Sequence, residues 1–239
     1  MTREPKKNRR TDIRTAGEEL TRELVFPNLQ PSYNKFRQQV GKEIDAAISA
    51  ITAAHQVMEG EYLAWPKDRQ AQHVRLFLYT ALNNLVLTTH FIVAGYHQPA
   101  GQQLRSFAEA SAMALLLLLP KEWQQFEQDP MKYPAHKSLG RVQRESNFRA
   151  LEKMVSLDAR AWADFVKITK RYDAHSHAGA LTTLLHIRLS WPFQSILGGE
   201  FDREKKRAYA IDLGLVKSGA SNLSDLCVAI GKYLRSRKL

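Results

Sequence analysis

The side chains best suited to chemistry near neutral pH are concentrated in residues 167–179, KITKRYDAHSHAG. Arg171, Asp173, His175 and His177 fall within seven positions of this segment. A neutral imidazole can take a proton from a ribose 2′-hydroxyl, and a guanidinium can stabilise charge on phosphoryl oxygens. An arginine and a histidine that lie close together can therefore act on a phosphodiester, and this chemistry requires no metal ion.

The spacing leaves two arrangements of these groups open. In a continuous helix Arg171 and His175 are four residues apart and share one face, whereas His177 points elsewhere. If the helix ends near Ala174, His177 can turn back toward Arg171.

Two other interpretations of the segment remain open. The first is a polar network at a helix end without catalysis.

The second interpretation is a metal site formed by Asp173, His175 and His177. These alternating residues lie on one side of the chain only if the segment is extended. No further Cys/His cluster completes a recognisable set of ligands. The sequence therefore favours a site without metal or other cofactor.

Arg171 and His177, with five residues between them, resemble the R-x(4–6)-H motif of the HEPN superfamily. These helical proteins include metal-independent ribonucleases of toxin–antitoxin and antiphage systems. The resemblance implies that the chain is such a ribonuclease or an inactive relative, and that it forms a homodimer with two facing motifs. It further implies that His177 acts as general base or acid and Arg171 stabilises phosphoryl charge, with Asp173 helping to orient them.

A second resemblance covers GQQLRSFAEASAMALLLLL and the later YDAHSHAG, which are similar to R-x3-E and S/H-containing helices of uncharacterised bacterial helical-bundle proteins. Arg105 and Glu109 are four residues apart, so they can pair across one helical turn. The pair either supports the RYDAHSH segment or serves as an ion pair that fixes helix register. Both interpretations stay open.

The formal net charge of +11 favours RNA or another polyanion as partner. Residues 1–16 carry a net charge of +4, and residues 232–239 carry another +4. Most of the excess charge therefore lies at the two ends of the chain. An alternative function is a non-catalytic helical module that uses these ends to bind a protein partner or nucleic acid.

Composition predicts a cytoplasmic protein with one globular domain. Of the 239 residues 44% are hydrophobic, which is enough for a substantial core, and the single Cys227 cannot form an internal disulfide. The basic start of the chain is not followed by the apolar stretch of a secretory signal. Residues 1–14 are expected to be a disordered tail, and residues 15–239 a single domain.

Hydrophobic periodicity predicts an all-α, single-domain bundle of long antiparallel helices. The expected helices cover about 34–64, 67–96, 102–119 and 137–155, then a helix capped by Ser156 and a last helical portion interrupted near Gly214 and Gly219. Pro66 is expected in the first turn of the second helix, and Pro99 with Gly101 in the turn after it. Asn83, Asn84 and His90 interrupt the apolar second half of that helix, which favours burial in a bundle over membrane insertion.

Overall fold

The structure is a computed structural model, and it describes residues 28–160, 162–163, 165–166, 187–188, 194–195 and 201–237. The predicted tail, residues 1–14, lies outside the described residues.

The described part of the chain is all-α, which confirms the predicted fold class. Its helices are α1 (Gln30–Leu63), α2 (Arg69–Val93), α3 (His97–Leu116), α4 (Pro120–Gln128), α5 (Ser138–Val142), α6 (Glu145–Val155) and α7 (Lys206–Ser236). Three 3-10 turns cover Pro130–Lys132, Ala135–Lys137 and Arg203–Lys205, and the described residues from 159 to 166 are also helical. A two-residue strand, β1 (Ile187–Arg188), pairs antiparallel with β2 (Gln194–Ser195).

The first three long helices pack as antiparallel neighbours, as the sequence predicts. The start of α1 meets the end of α2, where the Ser32 hydroxyl donates to the Val93 carbonyl at 3.2 Å. The start of α2 meets the end of α3, where the Gln70 amide donates to the Leu117 carbonyl. Short connections join each pair, which is typical of an up-and-down bundle.

The fourth member of the bundle is α7, which runs parallel to α1. Near one end of the pair the Phe36 and Tyr209 rings have centroids 4.9 Å apart. At the other end an Arg235 guanidinium nitrogen lies 2.6 Å from a Glu61 carboxylate oxygen. The sequence pattern predicts the helix but not its parallel packing on α1. Against α2 the same helix is antiparallel, since Arg237 at its end contacts Gln70 near the start of α2.

The centre of the bundle is α2, which contacts α1, α3 and α7. Leu78, Leu85 and Ile92 on this helix are fully buried. By length and composition α2 is also apolar enough to cross a membrane. Its packing against three neighbouring helices accounts for the apolar composition as that of a core helix.

The structure corrects two predicted boundaries in this region. The second helix begins at Arg69, and its cap is Asp68, whose carboxylate accepts from the Ala71 amide at 2.9 Å. Pro66 therefore precedes the helix. The turn between α2 and α3 is at Gly95, which has a φ of 84°, while Pro99 and Gly101 lie inside α3. Proline is tolerated there because the amides of a first helical turn have no partner within the helix.

Further along the chain, three more predictions are wrong. The helix expected over 137–155 is divided into α5 and α6. Ser156 is the left-handed C-cap of α6, with φ 53° and ψ 40°, rather than the N-cap of the next helix. The last helix continues without interruption through Gly214 and Gly219.

The basic C-terminal end packs against the bundle, although its composition is typical of a solvated tail. Arg235 pairs with Glu61, and the Arg237 guanidinium donates to the Gln70 side chain and lies 3.6 Å from the Asp68 carboxylate. These contacts hold the end of α7 against α1 and the start of α2. Part of the C-terminal charge therefore stabilises the bundle.

Gly231 is the position where α7 approaches α1 most closely among the glycines of the described residues. A Cβ at Gly231 would lie 2.1 Å from a Glu61 carboxylate oxygen and 2.6 Å from the Trp65 indole nitrogen. The absence of a side chain at Gly231 is therefore a condition for this helix contact. By contrast, a Cβ at Gly214 would meet no atom within 4 Å.

We predict that Gly231→Ala lowers the free energy of unfolding by about 1–3 kcal/mol, since overpacking forces the buried Trp65 ring to move. The matched substitution Gly214→Ala should raise it by about 0.5–1 kcal/mol, because alanine is the better helix former. Urea unfolding of both variants measures the difference. Equal changes in the free energy of unfolding of the two variants would show that α7 does not approach α1 closely at Gly231.

Cys227 is fully buried on α7, beside Tyr62 and Glu61 of α1. Burial, reinforced by the Glu61 carboxylate, raises the pKa of the Cys227 thiol to about 12. Below the unfolded pKa, near 9, the neutral thiol therefore favours the folded state, and this contribution is lost as the pH rises toward 12.

We predict that a thiol reagent at pH 8 labels Cys227 at least about a hundredfold more slowly in native protein than in denaturant, because the thiolate is the reactive form. The labelling rate is followed by absorbance at several denaturant concentrations. Rapid labelling of the native protein would show that the α1–α7 contact is open.

Candidate functional site

The predicted catalytic residues Arg171, Asp173, His175 and His177 lie outside the described residues. Val166 is the last described residue before them. Five residues of chain, spanning at most about 18 Å when extended, lead from Val166 to Arg171. The placement of residues 162–166 therefore limits which part of the bundle the motif can reach.

Residues just before the motif dock on α3 through aromatic contacts. The Phe165 ring lies edge-on to Phe107 of α3, with centroids 5.4 Å apart. Trp162 stacks on Phe165 at 5.2 Å with an interplanar angle of 28°. Trp162 and Val166 are both buried. These contacts are worth several kcal/mol of apolar burial and fix this part of the chain to the bundle.

The predicted pairing of Arg105 with Glu109 is confirmed. The Arg105 Nε lies 2.9 Å from Glu109 Oε1, and the two side chains are 28% and 16% exposed. The structure thus shows a half-buried ion pair on α3. The supporting role of this pair in catalysis stays a prediction.

The pair lies on a different face of α3 from the aromatic contact. At 3.6 residues per turn, Phe107 is about 200° around the helix from Arg105 and about 160° from Glu109. Phe165 therefore docks on the far side of α3 from the ion pair. The described residues do not bring the pair and the aromatic anchor together.

A cavity of about 370 Å³ lies where α3, α6 and α7 meet Trp162 and Phe165. Its walls are mostly apolar and include Phe107, Leu115 and Leu226. This volume is within the range that small molecules and single nucleotides occupy in proteins. The cavity is therefore a candidate binding site among the described residues.

The cavity also has a small number of polar groups. Asn222 and Asp225 of α7 line it, and within the described part of the chain neither side chain takes part in a hydrogen bond or ion pair. Trp162 also lines it, and the buried indole Nε1 of this residue has no acceptor. Asp158 lines it as well, so two carboxylates and one amide border the cavity, whereas the Trp162 indole nitrogen has no exposed surface.

Sequence reasoning missed this cavity. Asn222 and Asp225 have the spacing of a solvent-exposed helix face, and Trp162 is indistinguishable from an ordinary core aromatic. The cavity arises only from the approach of α6 and α7, which are more than fifty positions apart in the chain.

A second polar cluster missed by the sequence reasoning is centred on Glu122 of α4, which is 5% exposed. Its carboxylate accepts from the Tyr133 hydroxyl, from the Arg141 guanidinium and from the Asn147 amide. Burial, and then the hydrogen bond to Glu122, raise the pKa of Tyr133. Since three protein groups donate hydrogen bonds to this carboxylate, the cluster stabilises the packing of α4, α5 and α6.

The described histidines do not form a second catalytic group. His90 is exposed, and its Nδ1 lies 3.3 Å from the Tyr33 hydroxyl. The His73 Nδ1 is 2.7 Å from the Arg69 carbonyl of its own helix. His97 stacks on Tyr209 with centroids 4.4 Å apart. Among the described residues, no three His, Cys, Asp or Glu side chains are grouped to hold a metal ion.

Comparison of the chain with known protein families, with characterised proteins and with solved structures finds no match.

We predict that Glu122→Gln lowers the free energy of unfolding by about 3 kcal/mol, because it leaves the largely buried Arg141 charge without its partner. The control is Glu127→Gln on the same helix, whose partner Arg69 is 73% exposed. That variant should differ from the parent by no more than about 0.5 kcal/mol. Urea unfolding of both variants measures these changes. A small change in the free energy of unfolding for Glu122→Gln would show that the Glu122 cluster does not stabilise the packing of α4, α5 and α6.

Proposed function

We propose that the protein is a HEPN-like, metal-independent endoribonuclease that works in a bacterial toxin or antiphage-defence setting. The observation that carries this proposal is the R-x5-H spacing of Arg171 and His177. The all-α bundle supports it, because the resembled motif occurs in helical bundles. The positive net charge of +11 supports an RNA substrate.

In this mechanism the attacking group belongs to the substrate. The His177 imidazole takes the proton of a ribose 2′-hydroxyl, and the 2′-oxygen forms a bond to the adjacent phosphorus. The bond from phosphorus to the 5′-oxygen of the next nucleotide breaks, and that oxygen takes up the proton that His177 accepted from the 2′-hydroxyl. The products are a 2′,3′-cyclic phosphate and a 5′-hydroxyl.

The other residues of the motif have separate parts in this proposal. Arg171 stabilises the extra negative charge on the phosphoryl oxygens in the transition state. Asp173 or the Arg105–Glu109 pair orients the two catalytic groups. His175 is the alternative partner of Arg171 if the helix continues through the motif.

A homodimer belongs to the same proposal. Two motifs facing each other across an interface would provide two Arg171 and two His177 side chains around one RNA strand. The resemblance, together with the cytoplasmic location expected from the composition, supports the toxin or antiphage-defence setting of this proposal. A protein partner, such as a neutralising antitoxin, fits the same setting.

We predict that the purified protein cleaves single-stranded RNA in the presence of EDTA and leaves a 2′,3′-cyclic phosphate. His177→Ala and Arg171→Ala should each lower the cleavage rate by about a hundredfold or more, since each removes a group that acts in the transition state. Gel analysis of labelled RNA and mass spectrometry of the product ends measure both effects.

The control for this experiment is His175→Ala, which should reduce the rate much less. Circular dichroism and thermal unfolding establish that each variant is folded. If no RNA is cleaved and both substitutions mainly lower Tm, the segment is a structural network and a non-catalytic binding module replaces the ribonuclease.

A further inference from the structure

We propose that the cavity between α3, α6 and α7 binds a small organic cation, namely an amine whose ammonium group is carried on an aromatic body. The aromatic body occupies the cavity, and the ammonium group lies at its rim beside Asp158 and Asp225. This site goes beyond the proposed ribonuclease function, because it is formed by described residues alone and its ligand is not RNA.

The walls of the cavity fit the aromatic body of such a ligand. Phe107, Trp162 and Phe165 contribute aromatic surface, and Leu115 and Leu226 contribute aliphatic surface. The three rings already pack against one another, so these walls are in place before a ligand enters. The volume of about 370 Å³ is within the range of small-molecule sites. A ligand ring that enters this space leaves water and gains further ring contacts.

The charged residues of the lining favour a cation over an anion. Among the described residues that line the cavity, the charged ones are Asp158 and Asp225, and both are carboxylates. Both residues are exposed, so an ammonium group can reach them at the rim while it keeps part of its hydration. Two carboxylates attract an ammonium group and repel a phosphate or a ligand carboxylate.

The positive net charge of the chain does not reverse this local preference. Charges of exposed groups more than about 8 Å apart are largely screened at physiological ionic strength, and most of the net charge of +11 lies at the two ends of the chain. Lys232 lines an adjoining cavity that shares Asp225 and Ala229. Within the described part of the chain, Asp225 forms no ion pair with Lys232 or another side chain, so its charge remains for a ligand.

The experiment compares three probes that share an indole body and differ in charge. Tryptamine carries an ammonium group, tryptophol a hydroxyl group and indole-3-acetate a carboxylate. Binding to the parent protein is measured by isothermal titration calorimetry at neutral pH and low salt. We expect tryptamine to bind about three- to tenfold more tightly than tryptophol, which is the gain of an ion pair at a partly exposed rim. Indole-3-acetate should bind most weakly, and high salt should remove the advantage of tryptamine.

The decisive variant is Asp225→Asn, which keeps the size of the side chain and removes a negative charge. We expect it to lower the affinity for tryptamine about threefold and to leave the affinity for tryptophol unchanged. Adding Asp158→Asn should remove the remaining preference for the cation. The control is Asp45→Asn, which changes the net charge equally at an exposed residue of α1 that pairs with Arg37. It should leave tryptamine binding unchanged.

A second variant, Ala229→Trp, tests whether the ligand occupies the cavity. Ala229 is half-buried and lines this space, so a bulky side chain there fills it. We expect the binding of tryptamine and of tryptophol to be lost together, whereas Ala229→Ser leaves the space open and should bind both as the parent does. Circular dichroism establishes that the variants are folded.

Several outcomes would overturn the inference: equal affinities for tryptamine and tryptophol, tighter binding of indole-3-acetate, unchanged tryptamine affinity in Asp225→Asn, or no binding at millimolar tryptamine. Tryptamine binding that persists in folded Ala229→Trp would place the ligand elsewhere and would also overturn it. None of these measurements involves RNA, so the ribonuclease proposal is tested separately.

Discussion

The close parallel contact between α1 and α7 is the constraint on which the rest of the structure depends. Because α7 comes last and runs in the same direction as α1, residues 64–205 must return to the end of the bundle where α1 begins. Gly231 permits the contact by leaving space for Glu61 and Trp65. When α7 packs against α1, it also covers one side of α2 and forms one wall of the cavity between α3, α6 and α7.

The return path of the chain explains where candidate functional groups lie. It first forms α4, α5 and α6, which the buried Glu122 carboxylate joins. It then passes over α3, where Trp162 and Phe165 dock beside Phe107. Residues 171–177 follow directly after this anchor. A rigid bundle, an aromatic anchor and a polar segment therefore occur in sequence, which is an arrangement suited to hold a site near a fixed surface.

The sequence predicted the features that depend on local periodicity. The hydrophobic periodicity over about 34–64 identified α1, and the spacing of Arg105 and Glu109 identified their ion pair. What it missed depends on contacts between distant segments. Gly214 and Gly219 looked like interruptions because glycine weakens an isolated helix, yet tertiary packing keeps α7 continuous. The cavity beside Asp225 could not be predicted for the same reason, since its walls come from three separate helices.

Cleavage of RNA by Arg171 and His177 is the central proposal for this chain. The most direct test is to map cleavage sites at nucleotide resolution on a single-stranded RNA that contains every base in equivalent contexts. The proposal predicts that the parent protein cuts this RNA in EDTA and leaves a 2′,3′-cyclic phosphate at each site, and that His177→Ala leaves the RNA intact. An RNA left intact by the parent protein, or product ends that carry a 3′-hydroxyl, would contradict it.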